Sequence, residues 1–139
     1  MVTRVLVAVD GSEMSEAALR YALDVHVGAD ITVLVVVGEP SPMMGGPTAI
    51  ATADDPREKT RELAEPILER AHEIAGGHDT EIDTAVGFGH PAREIVNRAD
   101  GFDTVVLGSH GGSMSDRLIV GNVAETVFNR SSVPVAVVR

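Results

Sequence analysis

Two places in this 139-residue chain carry residue types and spacings that could do chemistry. The first is Gly108-Ser109-His110-Gly111, then nine residues, then Gly121-Asn122. Glycine lets a backbone take φ > 0 and lets its N–H groups come close to a bulky anion, so this spacing points to phosphate. Gly121-Asn122 opens a helical pattern, and a helix N-terminus offers free N–H groups and a favourable dipole to the same anion. Asn122 can cap that helix or donate its amide to a phosphate oxygen, and Ser113, Ser115 and Arg117 supply further donors between. His110 either touches phosphate or is solvated or backbone-bonded. No Gly-Lys-Ser/Thr follows, so this is not a P-loop. The second place is Asp10, in Asp10-Gly11-Ser12. It is either a turn former between strand and helix, or a carboxylate that bonds a ribose hydroxyl or reaches a nucleotide-bound Mg²⁺ through water.

The elements that must hold these residues alternate strictly. Thr3 to Val9 is a β-branched run that reads as a buried strand. Ser12 is an N-cap for a helix over Glu13 to Val27, with the stripe Ala17, Ala18, Tyr21, Ala22 and Val25, closed by Gly28. Ile31 to Val37 is a second strand. Glu39 to Asp55 has no periodicity and reads as a long loop, in which Met43 and Met44 either fill gaps or form part of a lid. Pro56 starts a helix through Leu63, Ile67, Leu68 and Ala71 to Gly76-Gly77, which Pro66 should kink or split. Glu81 to Val86 is a third strand, Pro91 to Ala99 a helix and Thr104 to Leu107 a fourth strand. Val123 to Asn129 is a helix on Val123, Val127 and Phe128, and Val133 to Val138 is a last strand. Such alternation means one α/β domain over residues 1–139, with parallel strands and right-handed crossovers. Ligands in open sheets of this kind sit beyond the carboxyl ends of the strands, where the strand order reverses.

Composition narrows the function. Apolar residues are 44% of the chain and aromatics 3%, which suits parallel strands covered on both faces. No run reaches the roughly 18 to 20 apolar residues of a membrane span, and no secretory leader pattern opens the sequence, so the expected location is cytoplasmic. Without Cys there are no disulfides and no thiolate chemistry. The net charge of −10 argues against nonspecific nucleic-acid binding. Acidity combined with a single lysine, Lys59, fits either ordinary solubility or a high-salt, halophilic cytoplasm.

Several other patterns are weaker. Gly87-Phe88-Gly89-His90-Pro91-Ala92 matches G-x-G-x-x-A, but the next strand ends in Leu107-Gly108 with no acid to hold a ribose; Gly89 reads as a turn and Pro91 as a helix start. His26, His72, His78 and His90 do not form a metal set by spacing. Ser109 and His110 are sequence neighbours, which rarely present as nucleophile and base, and no G-x-S-x-G elbow is present. A receiver domain would need an Asp and a Lys where Val86-Gly87 and Pro134-Val135 stand.

The run Gly108-x-x-Gly111-x9-Gly121-Asn122 resembles the G-2x-G-9x-G-(S/T) signature of the universal stress protein family. Val5 to Ser12 resembles that family's first strand and turn, and Ser132 to Val138 its last strand, so the likeness covers essentially the whole chain. The resemblance implies a five-stranded parallel sheet of order 3-2-1-4-5 and a homodimer paired through the last strand, residues 133–138. It also implies ATP, with Mg²⁺, as the ligand. Gly108, Gly111, Gly121 and Asn122 match the phosphate cradle, Asp10 the ribose and Mg–phosphate region, and Val36 a residue packing on adenine. His110 and Arg117 lie beside the cradle. Asn122 departs from the family's Ser or Thr; it is bulkier and must meet phosphate nitrogen-first. The expectation is a dimeric, ATP-binding regulator, not an enzyme. The alternatives are an interaction module of the same fold without nucleotide, and a weak ATPase.

Overall fold

A computed structural model describes residues 2–38, 56–110 and 121–139. Runs of Val, Leu and Ile without polar alternation must be covered on both faces. They form a five-stranded parallel sheet in the order β3-β2-β1-β4-β5. Along the chain the elements are β1 (Arg4–Ala8), α1 (Glu13–Val25), β2 (Asp30–Val37), α2 (Pro56–Gly76), β3 (Asp83–Phe88), α3 (Pro91–Ala99), β4 (Thr104–Gly108), α4 (Asn122–Arg130) and β5 (Val135–Val138). The strand order is the one that the resemblance implied.

The period of two along β1 sorts the core into two layers. Val5, Val7 and Val9 pack with Leu19 and Leu23 of α1 and Ile74 of α2 on one face. Leu6 packs with Ile95 of α3 and Val127 of α4 on the other. Side chains buried this completely contribute about 1.5–3 kcal/mol each, so neither helical layer is dispensable. The helix after β1 therefore lies on one face, and the helix after β4 on the opposite face. β1 and β4 are nonetheless direct neighbours, with Val5 opposite Thr104 and Val7 opposite Val106.

Several expectations need correction in detail. The buried face of α1 is Met14, Ser15, Ala18, Leu19, Ala22 and Leu23, whereas Tyr21 and Val25 are 39% and 53% exposed. The face is centred further round towards Leu19, which leaves Tyr21 on its flank, and Val25 is the last helical residue. On α4, Ala124 and Val127 are buried while Val123 and Phe128 flank them and stay exposed. β3 lies two residues later than expected, aligned by its register with β2 from Thr32–Asp83 to Val37–Phe88. It is an edge strand, so exposed Asp83 and Thr84 are tolerated there. β5 starts at Val135 rather than Val133. The helix α2 is not split: its 21 residues run through Pro66, whose side chain is exposed and whose missing N–H leaves only one backbone bond unmade.

The amino ends of β1 and β4 are tied together by Asp103. Its Oδ2 accepts from the Thr3 N–H at 2.8 Å, the Thr3 hydroxyl at 2.9 Å and the Arg4 N–H at 2.9 Å. The Thr3 N–H, then the Arg4 N–H and the Thr3 hydroxyl, hold this carboxyl below its ordinary value of 3.8. A carboxyl that binds its proton less readily folded than unfolded contributes stability above its unfolded pKa and loses it as pH falls towards the folded one. Urea unfolding followed by circular dichroism from about pH 5 down to about pH 2 should therefore show a shallower acid decline in Asp103→Asn than in the parent.

Candidate functional site

Because the helices after β1 and β4 leave on opposite faces, the carboxyl ends of these two strands part to form a crevice. A cavity of about 340 Å³ opens there. Its polar wall comprises Asp10, Ser15, His110 and Asn122, and its apolar wall includes Val36, Pro91, Ile95 and Leu107. Of the residues expected from the sequence, Asp10, Val36, Gly108, His110, Gly121 and Asn122 all line this one cavity. Gly111 and Arg117 lie outside the described residues, as do Ser113, Ser115, Met43 and Met44.

Asp10 is the turn former that the sequence offered. Its Oδ1 accepts from the Ser12 N–H at 2.9 Å, closing the turn, and Ser12 in turn caps α1 by accepting from the Ser15 N–H at 3.2 Å. The Asp10 N–H donates to the Ser15 hydroxyl at 3.2 Å. The carboxylate is exposed, and its Oδ2 has no protein partner among the described residues. One oxygen builds the loop and the other is available to the cavity.

The glycines work differently from the expectation. Neither Gly108 nor Gly121 has a positive φ; Gly121 sits at φ −68° and ψ 162°. Their lack of a side chain matters for close approach. A Cβ on Gly108 would stand 2.8 Å from Met14 Cγ and 3.0 Å from the Met14 carbonyl, so this glycine lets α1 sit down on β4. A Cβ on Gly121 would stand 3.1 Å from the Ser109 carbonyl oxygen, to which the Gly121 N–H donates. The Ser109 N–H donates to the Val138 carbonyl at 2.7 Å, so the turn after β4 is fastened to both α4 and β5.

Gly121 is the N-cap of α4 and has no side chain to satisfy the helix start, while Asn122 is the first helical residue and is exposed. Asn122 thus does not cap the helix; its amide stays available. The first N–H closing a helical turn is that of Glu125, onto the Gly121 carbonyl at 2.9 Å. The N–H groups of Asn122, Val123 and Ala124 precede it without intrahelical acceptors, and these three residues line the cavity. Together they are a set of free backbone donors with the positive end of the α4 dipole behind them, an arrangement chemically suited to an anion.

Ser109 and His110 do meet, contrary to the rule for sequence neighbours: Ser109 Oγ lies 3.0 Å from His110 Nδ1. Ser109 is 0% exposed, so its hydroxyl is shut off from the open cavity. His110 is half-buried, and its Nε2 is buried with no hydrogen-bond partner among the described residues.

The G-x-G-x-x-A stretch serves the sheet. Gly89 has φ 114° and donates its N–H to the Val37 carbonyl at 2.7 Å, and Pro91 opens α3. Sequence reasoning missed that this helix then lends Pro91 and Ile95 to the crevice wall. The signal was their i,i+4 spacing, which puts both on one face of α3. His78 is structural, with Nδ1 3.0 Å from the Ile74 carbonyl and Nε2 3.1 Å from Asp24. No cluster of three or more His, Asp or Glu side chains able to hold a metal exists among the described residues. No helix among them is long and apolar enough to cross a membrane.

Sheet order and crevice define a doubly wound α/β protein with a cavity at the β1–β4 switch point. The universal stress protein family model matches residues 1–139, and the chain belongs to that family. It is 33% identical over 150 residues to universal stress protein YxiE of Bacillus subtilis, covering 100% of each chain. A universal stress protein solved in complex with cAMP is 24% identical with a TM-score of 0.72, over 99% of this chain and 97% of that one. The universal stress protein of Archaeoglobus fulgidus solved in complex with dAMP is 21% identical with a TM-score of 0.68, over 100% and 98%. At these identities the two structures show a shared fold.

The packing role of Gly108 is open to test. Gly108→Ala should lower stability by about 1–3 kcal/mol in urea unfolding, because Met14 and its backbone must give way. An unchanged midpoint would mean that the close approach of α1 to β4 does not constrain this position.

Proposed function

We propose that this chain is a nucleotide-dependent regulatory protein that binds ATP, with Mg²⁺, in the crevice between the ends of β1 and β4. The observation that carries this reading is the convergence on one cavity of a helix N-terminus with free N–H groups, a half-used carboxylate and an apolar slot. In it, the N–H groups of Asn122, Val123 and Ala124 hold phosphate, aided by the Asn122 amide and the His110 ring. Asp10 Oδ2 takes a ribose hydroxyl or a metal-bound water. Val36, Ile95 and Pro91 pack on the base. Asp10, the lone acidic residue among the described lining residues, would hold Mg²⁺ through water, and the ion would supply the charge that neutralises the phosphates. Two proteins of the same fold that hold adenine nucleotides are consistent with an adenine-sized slot. Gly111 and Arg117 extend the cradle in this reading.

Binding rather than turnover is the activity proposed. The cytoplasm, where ATP is abundant, is the compartment that fits. A homodimer through residues 133–138 is part of the proposal. All four residues of β5, at the sheet edge, are apolar and half-buried, and an apolar edge left unpaired invites pairing with a second strand. Sedimentation should give a species of twice 14.6 kDa.

Protein purified without added nucleotide and then heat-denatured should release adenine nucleotide, and titration calorimetry should register Mg·ATP. Asp10→Ala should weaken binding about tenfold, the worth of one hydrogen bond to a polar or charged group. Neither release nor titration heat would sink the reading.

A second reading is favoured by the glycine contacts. Gly108 and Gly121 are required for packing whether or not phosphate binds, so the signature alone is compatible with a dimeric interaction module without nucleotide. Asn122→Ser separates the two. Unaltered ATP affinity would show that the site works as it stands, and a gain from no measurable binding would favour the interaction module.

A further inference from the structure

We propose that Ser109 is a positioning residue that locks the His110 imidazole in its Nε2–H form. His110 then holds its one unpaired donor beneath the wall of the crevice, where it selects an acceptor oxygen on a ligand that reaches it. The inference rests, for its ligand, on the crevice being a nucleotide site.

Proton accounting carries it. Ser109 Oγ has one hydrogen and, among the described residues, one side-chain partner, His110 Nδ1 at 3.0 Å. Ser109 is fully buried, so water does not supply another. If the hydroxyl donates to Nδ1, its hydrogen is satisfied, Nδ1 is satisfied, and the ring proton sits on Nε2. If Nδ1–H donates instead, the hydroxyl hydrogen is stranded in the core and Nε2 becomes an unpaired acceptor. The first arrangement leaves one polar group without a partner and the second leaves two. Stranding a buried donor shifts such an equilibrium by about tenfold or more. The hydroxyl therefore donates, and the unmet capacity of the pair collects at a single N–H.

That atom is where the structure shows it: His110 Nε2 is the buried side-chain polar atom with no partner among the described residues. His110 is one of the residues that line the cavity, together with Asn122 and the start of α4. The ring is also held in place from its backbone, because the Ser109 carbonyl takes the Gly121 N–H and the Ser109 N–H reaches Val138. An N–H beside a helix N-terminus donates to a phosphoryl or hydroxyl oxygen and disfavours an amino group at the same point. Ser109 never touches the ligand; it acts through the tautomer it imposes.

The tautomer is read directly by long-range ¹H–¹⁵N correlation on the full chain without nucleotide, at about pH 8, above the range where imidazoles ordinarily titrate. The parent should show His110 with a protonated Nε2 and a bare Nδ1, and Ser109→Ala should show an averaging mixture. A protonated Nδ1 or a mixture in the parent would overturn the proposal, as would an unchanged tautomer in Ser109→Ala. Should the alanine variant not fold, Ser109→Cys, a weaker donor of similar size, gives the same comparison, and the parent spectrum alone decides the tautomer. Titrations then test the ligand half. Ser109→Ala should weaken ATP about fivefold to tenfold. Adenosine unaffected in the same variant assigns the acceptor to a phosphoryl oxygen, and adenosine weakened equally assigns it to a ribose hydroxyl. ATP affinity equal in parent and variant would overturn the selection role. A parent that binds no ATP would remove the ligand half while the tautomer result stands on its own.

Discussion

The parallel pairing of β1 with β4 is the constraint on which the rest depends. Each strand feeds a right-handed crossover, yet α1 goes to one face and α4 to the other, because the sheet buries valine and leucine on both sides. Two neighbouring strands whose chains depart in opposite directions leave a gap at their carboxyl ends that no side chain of either fills. The Asp103 clamp at the opposite ends of the same strands holds their registration. The crevice is thus a consequence of topology, and the residues at its rim decide what it accepts.

Those rim residues serve packing, and the proposed recognition uses the same positions. Gly108 is small because α1 must touch β4, and Gly121 is small because the helix start must touch the turn at Ser109. Both contacts draw the α4 N-terminus and the Asp10 turn to one cavity. Asp10 spends one carboxylate oxygen on building its loop and keeps the other. The donors are mostly backbone N–H groups, which carry no titratable charge and need no reorganisation. That choice suits a protein with a net charge of −10, whose long-range field opposes a polyphosphate and leaves attraction to short-range contacts.

Much of this was legible in the sequence, for identifiable reasons. Strands such as Val5-Leu6-Val7 read clearly because they are apolar on both faces, and the alternation of elements then fixed the sheet class. Gly108, His110, Gly121 and Asn122 belong to one motif and Asp10 to a strand end, whereas Val36 followed only from the family resemblance; all six line one cavity. Periodicity failed where a helix is short or alanine-rich. Val123 and Phe128 look like an apolar stripe but flank the true contact, Ala124 and Val127, and Tyr21 was mistaken for core. Two kinds of fact were not legible. Which role a glycine plays depends on what stands opposite it, and Met14 is 94 residues from Gly108 in sequence. The Ser109–His110 contact depends on both side chains turning to one side of a turn, which spacing does not reveal.

The central claim is that the β1–β4 crevice receives adenine nucleotide through the start of α4. Amide chemical-shift mapping of the ¹⁵N-labelled chain during titration with Mg·ATP tests it most directly. The account predicts saturable shifts concentrated at Asn122, Val123 and Ala124 and around Asp10, with β3 at the far edge of the sheet undisturbed. Shifts centred on the β3 edge, or none at saturating nucleotide, would contradict it.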